Sequence, residues 1–428
     1  MDILVKGGIK LSGSITPSGN KNAVVCLIPA SILFDHPVTF TNVPDITDVA
    51  RLVRILTKLG STINWNKETK EMKIDNAKLR FDHLDKDDLG SMKGTALLWG
   101  PMLARFGKVV FTDLPGGCTL GSRPLGPQYD SFEALGIKIK NKSRSVAMDA
   151  THAKATEVWL PEMSPTITEN VIILATGLQG KTIITGAASE PNVCELCHFL
   201  VECGADIEGI GSSVVTVHGG KKLSAPKSHE IYPDHHEVTT FLAMAAATGG
   251  SIKIKNNHPE FFHHIDYIFS KLGVNVIHKD GYSIVNQNKE LQIDDHDSGH
   301  LIVRAQPWPG LLVDLLPMFI PLALSANKGQ VLFHNWMYES GLFWTSELSK
   351  LGANVIMADP HRVIITAGRK LHGGELEAPY IIRAAVALTM AGMIAEGETK
   401  ILNADALYRG HPNFSENLKS LGATIREL

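Results

Sequence analysis

Apolar and polar positions along the chain follow one pattern that returns at roughly 70-residue intervals. An amphipathic stretch of helical period ends in a short step to glycine and passes into an alternating run of strand period. The junction reads KLGSTI from Lys58, ALGIKI from Ala134, ECGADI from Glu202, KLGVNV from Lys271, KLGANV from Lys350 and SLGATI from Ser420. The glycine has a physical reason. A helix C-terminus often closes on a left-handed residue, and glycine takes that conformation at least cost. Upstream of each junction runs a second shared pattern. A small-residue apolar helix, such as NAVVCLIPASIL or AAVALTMAGMIA, precedes a turn and a short strand: VTFTNV, KVVFTDL, KTIITGA, SIKIKN, QVLFHN or TKILNA. Each unit therefore reads helix, strand, helix, strand, with further short strands between. Six α+β units of this size exceed the common solenoid repeats. In 428 residues they suit two domains of three units each.

Composition narrows the function. Hydrophobic residues make up 44% and charged residues 20%, enough to bury a large core. The formal net charge of -3 argues against a nucleic-acid binder that works through a basic surface. The N-terminal MDILVKGGIKLSGS lacks the basic and apolar regions of a signal peptide. The most apolar stretch, Gly310 to Ser325, is broken by Asp314, Pro317 and Pro321, so no membrane span is expected. Five cysteines without framework spacing fit a reducing compartment, and the cytoplasm is the expected location.

The repeated positions are core. Chemistry is expected where the copies differ. Lys21 and Asn22 precede the first small-residue helix, where free backbone N–H groups favour an anion. Gly116-Gly117-Cys118 and Gly121-Ser122-Arg123-Pro124 form a glycine-rich loop around a lone thiol, whose thiolate a nearby arginine would favour. Asp314 lies in an apolar helix start, LLVDLLPMF. Desolvation there would raise its proton affinity and suit it to a general base, while backbone N–H groups at the helix start would serve it equally well as a plain anchor. Arg383 opens the sixth small-residue helix and Arg409 sits in Tyr408-Arg409-Gly410. Two arginines near helix starts could clamp a carboxylate and a phosphate. Two patterns are set aside. Cys194-Glu195-Leu196-Cys197-His198 matches a haem-attachment motif but lies in a helical stretch. His235-His236, His263-His264, His258, His296 and His300 lack zinc-site spacing and read as scattered surface histidines, so no metal is expected.

Taken together, SGNKNA, GPMLARFG, GGCTLGSRP, ITEN, EPNV, YPD, IIRAA, MIAEG and YRG resemble, in order and across essentially the whole chain, the enolpyruvyl transferase family. The likeness is to its branch acting on UDP-N-acetylglucosamine in peptidoglycan synthesis. The resemblance implies an α/β fold: a two-domain inside-out barrel of six units, helices inside and sheets outside. One domain would be residues 22–231 with the Cys118 loop, and the other residues 1–21 with 232–428, the active site lying in the cleft between. The substrates would be phosphoenolpyruvate and a sugar nucleotide, with no cofactor, no metal and no nucleic acid or membrane as partner.

The resemblance also implies roles. Lys21, Arg123 and Arg409 would hold the donor phosphate, and Arg383 with Arg409 its carboxylate. Asn22 would anchor the tetrahedral intermediate. Asp314 would take the acceptor proton. Cys118 would protonate the methylene carbon or form an adduct with the donor. Lys93, Pro124, Leu125 and Ser164 would contact substrate. The chain departs from the family pattern on the acceptor side. Lys93 and Trp336 stand for arginines, Gly126 and Gln128 for an Asp and a His, and His235-His236 for Arg-Ile. Arg to Lys is not neutral at a bidentate site. The donor chemistry is therefore better fixed than the acceptor, and another uridine nucleotide, or a weakened sugar-nucleotide-binding paralogue, remain alternatives.

Overall fold

The computed structural model describes residues 1–81, 93–116, 124–142, 145–287, 290–294 and 301–428. The chain forms two compact units. One comprises the described residues from Gly19 to Tyr232, and the other joins Met1–Ser18 to Pro233–Leu428.

The first unit contains helices α1 (Lys21–Ala30), α2 (Thr47–Lys58), α3 (Trp99–Phe106), α4 (Gly126–Ala134), α5 (Pro165–Gly177) and α6 (Pro191–Glu202). Small-residue helices α1 and α5 are buried over nearly their whole length, and α5 packs on α3. The amphipathic α2 buries only Asp48, Val49, Leu52, Ile55 and Leu56. The second unit repeats the plan with α7 (His235–Ala247), α8 (His263–Lys271), α9 (Leu316–Leu324), α10 (Ile382–Ile394) and α11 (Phe414–Ser420). Here α9 packs against both α7 and α10, and the three form the buried centre.

Around these helices lie the sheets, and their order exposes the repeat. In the first unit Val38–Thr41 pairs parallel with His229–Glu230 and antiparallel with Glu71–Asp75, which pairs in turn with Thr62–Asn66. The order parallel, antiparallel, antiparallel recurs around Gly180–Thr185, Ser251–Lys255, Gln330–His334 and Glu398–Leu402. A sixth sheet, around Ser145–Asp149, shows the antiparallel part among the described residues. The N-terminal segment is shared between two sheets. Ile3–Lys6 sits between Glu398–Leu402 and Thr424–Glu427, while Ser12–Ile15 pairs parallel with Ser251–Lys255. Strand burial alternates, as VTFT at Val38–Thr41 does, with one face on the helices and the other in solvent. The α/β architecture with helices within and sheets without is the one the sequence implied.

All six junction glycines, Gly60, Gly136, Gly204, Gly273, Gly352 and Gly422, have φ between 79° and 100°. A Cβ-bearing residue would be strained at each. One copy departs from expectation. The stretch before Gly352 is a 3-10 helix, Phe343–Leu351, and not an α-helix. Its C-terminus still closes as the other copies do, with Gly352 left-handed and its N–H donating to the Ser349 carbonyl three residues back, the spacing of the tighter turn. Among the described residues no helix is long and apolar enough to cross a membrane.

Candidate active site

Most of the described candidates stand at helix starts, whereas Arg409 ends the 3-10 helix Ala404–Arg409 and Asp314 lies in a turn. Lys21 and Asn22 are the first two residues of α1, and Ser164 is the N-cap of α5. Leu125 is the N-cap of α4, with Pro124 exposed before it. Lys93 opens the 3-10 helix Lys93–Leu98, and Arg383 is the second residue of α10. Helix starts carry unpaired backbone N–H groups and the positive end of the dipole, so each of them favours an anion. Cys118 and Arg123 lie outside the described residues.

In the first unit Asn20 caps α1, its side-chain oxygen accepting from the Ala23 N–H at 3.0 Å. That turns Lys21 away from the core, and its Nζ lies 2.9 Å from Oδ2 of Asp48. Asp48 stands in the first turn of α2, with its side chain only 7% exposed. Arg51, one turn on, reaches its other oxygen at 3.7 Å. Lys21 is thus held by a buried carboxylate and does not wave in solvent. Asn22 beside it is exposed. Deeper in the unit are two buried carboxyls the sequence gave no reason to single out. Burial pushes the Glu169 carboxyl up to about 8, although Asn192 donates to it at 2.7 Å, and burial pushes Glu190 up to about 7. Cys194 and Cys197, the pair of the haem-like motif, are buried on α6, and burial pushes the Cys194 thiol up to about 11. Such thiols are unreactive at neutral pH.

In the second unit, three successive contacts run the segment 409–411 past residues 380–383. The Arg409 guanidinium lies 5.2 Å from the ring centre of Tyr380. Gly410 packs so close to Ile382 that a Cβ there would sit 3.2 Å from Cδ1 of Ile382. His411 Nε2 accepts from Arg383 Nη1 at 2.8 Å. The segment 409–411 thereby runs along the start of α10, and Gly410 is what permits the approach. Below Arg383 lies the cap of α7. Asp234 accepts from the His236 backbone N–H at 2.8 Å and faces His236 Nδ1 at 3.1 Å. Burial would push the Asp234 carboxyl up. The hydrogen bond from His236 and the charges of His236, His235 and Arg383 outweigh it and hold the carboxyl well below the usual range. Glu237 accepts from Ser18 N–H and its hydroxyl, and from Asn417 at 3.1 Å.

Two expectations change. His235 and His236 are not surface residues: each is 3% exposed, because the first turn of α7 runs into the core and Asp234 fixes it there. Asp234, His235 and His236 bring three ligand-type atoms within 4.8 Å of one another. Asp234 is already committed to α7, and a helix start beside a guanidinium repels a cation, so the set suits an internal ion network better than a metal. Asp314 is not buried. It occupies a turn two residues before α9 and is partly exposed, because Leu311, Leu315 and Leu316 take the inward positions. Trp336 is 53% exposed, with its indole N–H donating to Ala305 O at 2.8 Å. Gln128 is 4% exposed and, among the described residues, its buried Nε2 has no hydrogen-bond partner.

Sequence reasoning missed Asp48 and His411. Asp48 carried a faint signal, an acid in the first turn of an amphipathic helix. His411 carried none beyond its place after Arg409-Gly410.

Six sheets in two units, three to each, are laid over buried helices in this chain. The enolpyruvyl transferase NikO from Streptomyces tendae shares the fold, with a TM-score of 0.86 over 99% of this chain and 98% of that one at 22% identity. Residues 5–418 match the family model described as EPSP synthase (3-phosphoshikimate 1-carboxyvinyltransferase), and the chain belongs to that family. Among its relatives, UDP-N-acetylglucosamine 1-carboxyvinyltransferase of Borreliella burgdorferi is 35% identical, covering 99% of this chain and 98% of the relative. The protein of the same name from Bradyrhizobium diazoefficiens is 36% identical, covering 99% and 97%.

Proposed function

We propose that this protein transfers the enolpyruvyl group of phosphoenolpyruvate to the 3-hydroxyl of UDP-N-acetylglucosamine with release of phosphate, the first committed step of peptidoglycan precursor synthesis, in the cytoplasm. The observation that supports the donor half is the run of contacts 380–409, 382–410 and 383–411, which carries the segment bearing Arg409 along the start of α10, where Arg383 stands. A three-carbon donor with a carboxylate and a phosphate matches two guanidinium forks. The acceptor half is supported by the names of full-length relatives.

The roles in this reading are those the family resemblance implies. Lys21, Arg123 and Arg409 hold the donor phosphate, and Arg383 with Arg409 its carboxylate. Asp314 removes the proton from the acceptor hydroxyl as the oxygen bonds to C2, and Cys118 gives a proton to C3. Asn22 holds the resulting tetrahedral intermediate. Loss of the C3 proton and departure of phosphate from C2 then restore the double bond. The acceleration would come from cations fixed in place before the charge develops. Lys93, Pro124, Leu125 and Ser164 would meet the acceptor.

A second reading keeps the donor chemistry and changes the acceptor to another uridine nucleotide. Trp336 and Gln128 favour it, because a cation is absent at one and an amide replaces an imidazole at the other. Phosphate release from phosphoenolpyruvate, measured against a panel of hydroxyl acceptors, tests both. Release with UDP-N-acetylglucosamine supports the first reading, release only with other nucleotides the second. No release with any acceptor would overturn enolpyruvyl transfer.

A further inference from the structure

We infer that His411 is a positioning residue: it orients the Arg383 guanidinium while leaving that group's positive charge available to the donor carboxylate. The inference rests on Arg383 acting as the carboxylate clamp. The geometry is specific. Arg383 is 8% exposed and His411 fully buried, and Nη1 lies 2.8 Å from Nε2. A guanidinium only donates and stays protonated, so Nε2 must accept, and the ring proton sits on Nδ1. The bond therefore selects a neutral imidazole of one tautomer.

The choice of partner has a consequence. A long cation near a binding surface needs something to fix its rotamer, and the usual device is a carboxylate. Lys21 shows that device, paired with Asp48 at 2.9 Å. A carboxylate orients but also cancels charge, and a bound anion must then compete with it. Arg383 makes no ion pair among the described residues. Asp234 feels the Arg383 charge, while it accepts from the His236 backbone N–H and faces His236 Nδ1. A neutral acceptor supplies direction without neutralisation. The same residue also ties the Arg409 segment to the start of α10, through Gly410 against Ile382. Losing the Nε2 acceptor would free the guanidinium to turn toward Asp234, and both arginines would lose their alignment.

The test uses the full-length protein. Melting temperature, KM for phosphoenolpyruvate, KM for the acceptor and kcat are measured for wild type, His411→Leu, His411→Gln and His411→Asn. The Gln amide oxygen reaches the place of Nε2, whereas the Asn oxygen falls short. The expected result is a rise of roughly tenfold or more in KM for phosphoenolpyruvate in His411→Leu and His411→Asn. KM for the acceptor stays within about twofold, and His411→Gln recovers most of the loss. If His411→Leu does not fold, the Gln and Asn pair carries the comparison. Equal KM for phosphoenolpyruvate in all variants would overturn the inference, as would parallel rises for both substrates, which a merely structural role predicts. Nitrogen NMR of the wild type reads the ring directly: a neutral imidazole with its proton on Nδ1 supports the proposal, and a proton on Nε2 overturns it. A wild type that releases no phosphate with any acceptor would sink the clamp assignment itself. The ring tautomer would still show whether the geometry stands.

Discussion

The two units fold one repeat pattern and then treat buried carboxyls in opposite ways. In the second unit Asp234 is buried yet held as an anion, because His236 donates to it and three basic groups surround it. In the first unit Glu169 and Glu190 are also buried, and burial pushes them up to about 8 and about 7. Glu169 has two neutral partners, the Asn192 amide and the Cys26 thiol, and a second acid, Glu190, nearby, and no cation among the described residues acts on it. Burial is common to both cases, so burial does not decide. The partner set decides the charge state. The same contrast governs the cations: Lys21 is paired with a carboxylate, Arg383 with an imidazole.

Changes at these positions test the contrast, beginning with the largest effect. Arg383→Ala should lower kcat/KM for phosphoenolpyruvate by about a thousandfold, since it removes a charge that meets the donor carboxylate and also helps hold Asp234 ionised. Steady-state phosphate release checks it, and a loss of less than tenfold would deny Arg383 the clamp role. Asp314→Asn should cost about a hundredfold or more in kcat while phosphoenolpyruvate binding, followed by calorimetry, changes little. Retained turnover would remove Asp314 as the base. Asp48→Asn should cost about tenfold in kcat/KM by loosening Lys21, and Asp48→Glu should restore part of it.

The smallest effect concerns stability and its sign differs between units. Glu169 has a folded pKa of about 8, above its ordinary value of 4.5, so its contribution is fully present below pH 4.5 and is lost as pH rises toward 8. Within that window each pH unit costs about 1.4 kcal/mol for the one proton. Asp234 behaves in the reverse sense. Its folded pKa is depressed, so its contribution is present above 3.8 and is lost as pH falls below that. Hydrogen exchange at pH 5 and pH 8 should therefore show protection weakening in the first unit and holding in the second. Glu169→Gln should flatten the slope of the first unit. An unchanged slope in that variant would refute the assignment.

Much of this was legible in the sequence. The six junction phrases marked six helix ends, and every one of their glycines is left-handed. Lys21 and Arg383 were visible as basic residues at helix starts, while Arg409, expected near one, closes the 3-10 helix Ala404–Arg409. The 3-10 helix before Gly352 was not, because its amphipathic pattern reads as helical whether the turns are 3-10 or α. Asp48 and His411 were hidden for another reason. Each matters through a neighbour 27 or 28 residues away, and no local pattern records that contact. Asp314 misled because apolar neighbours suggest burial, whereas a turn lets one residue of a run face outward.

The strand Ile3–Lys6 lies between two strands from the other end of the chain, Glu398–Leu402 and Thr424–Glu427, and Asp2 exchanges hydrogen bonds with Leu428. On the ribosome this orders events. The segment from Gly19 to Tyr232 can condense while the remainder is still being synthesised. The opening strand must wait, unpaired, until its partners emerge roughly 400 residues later. A sheet whose strands lie so far apart in sequence makes its unit the later of the two to close, and it denies a nascent chain a finished second unit until Thr424–Glu427 has been made.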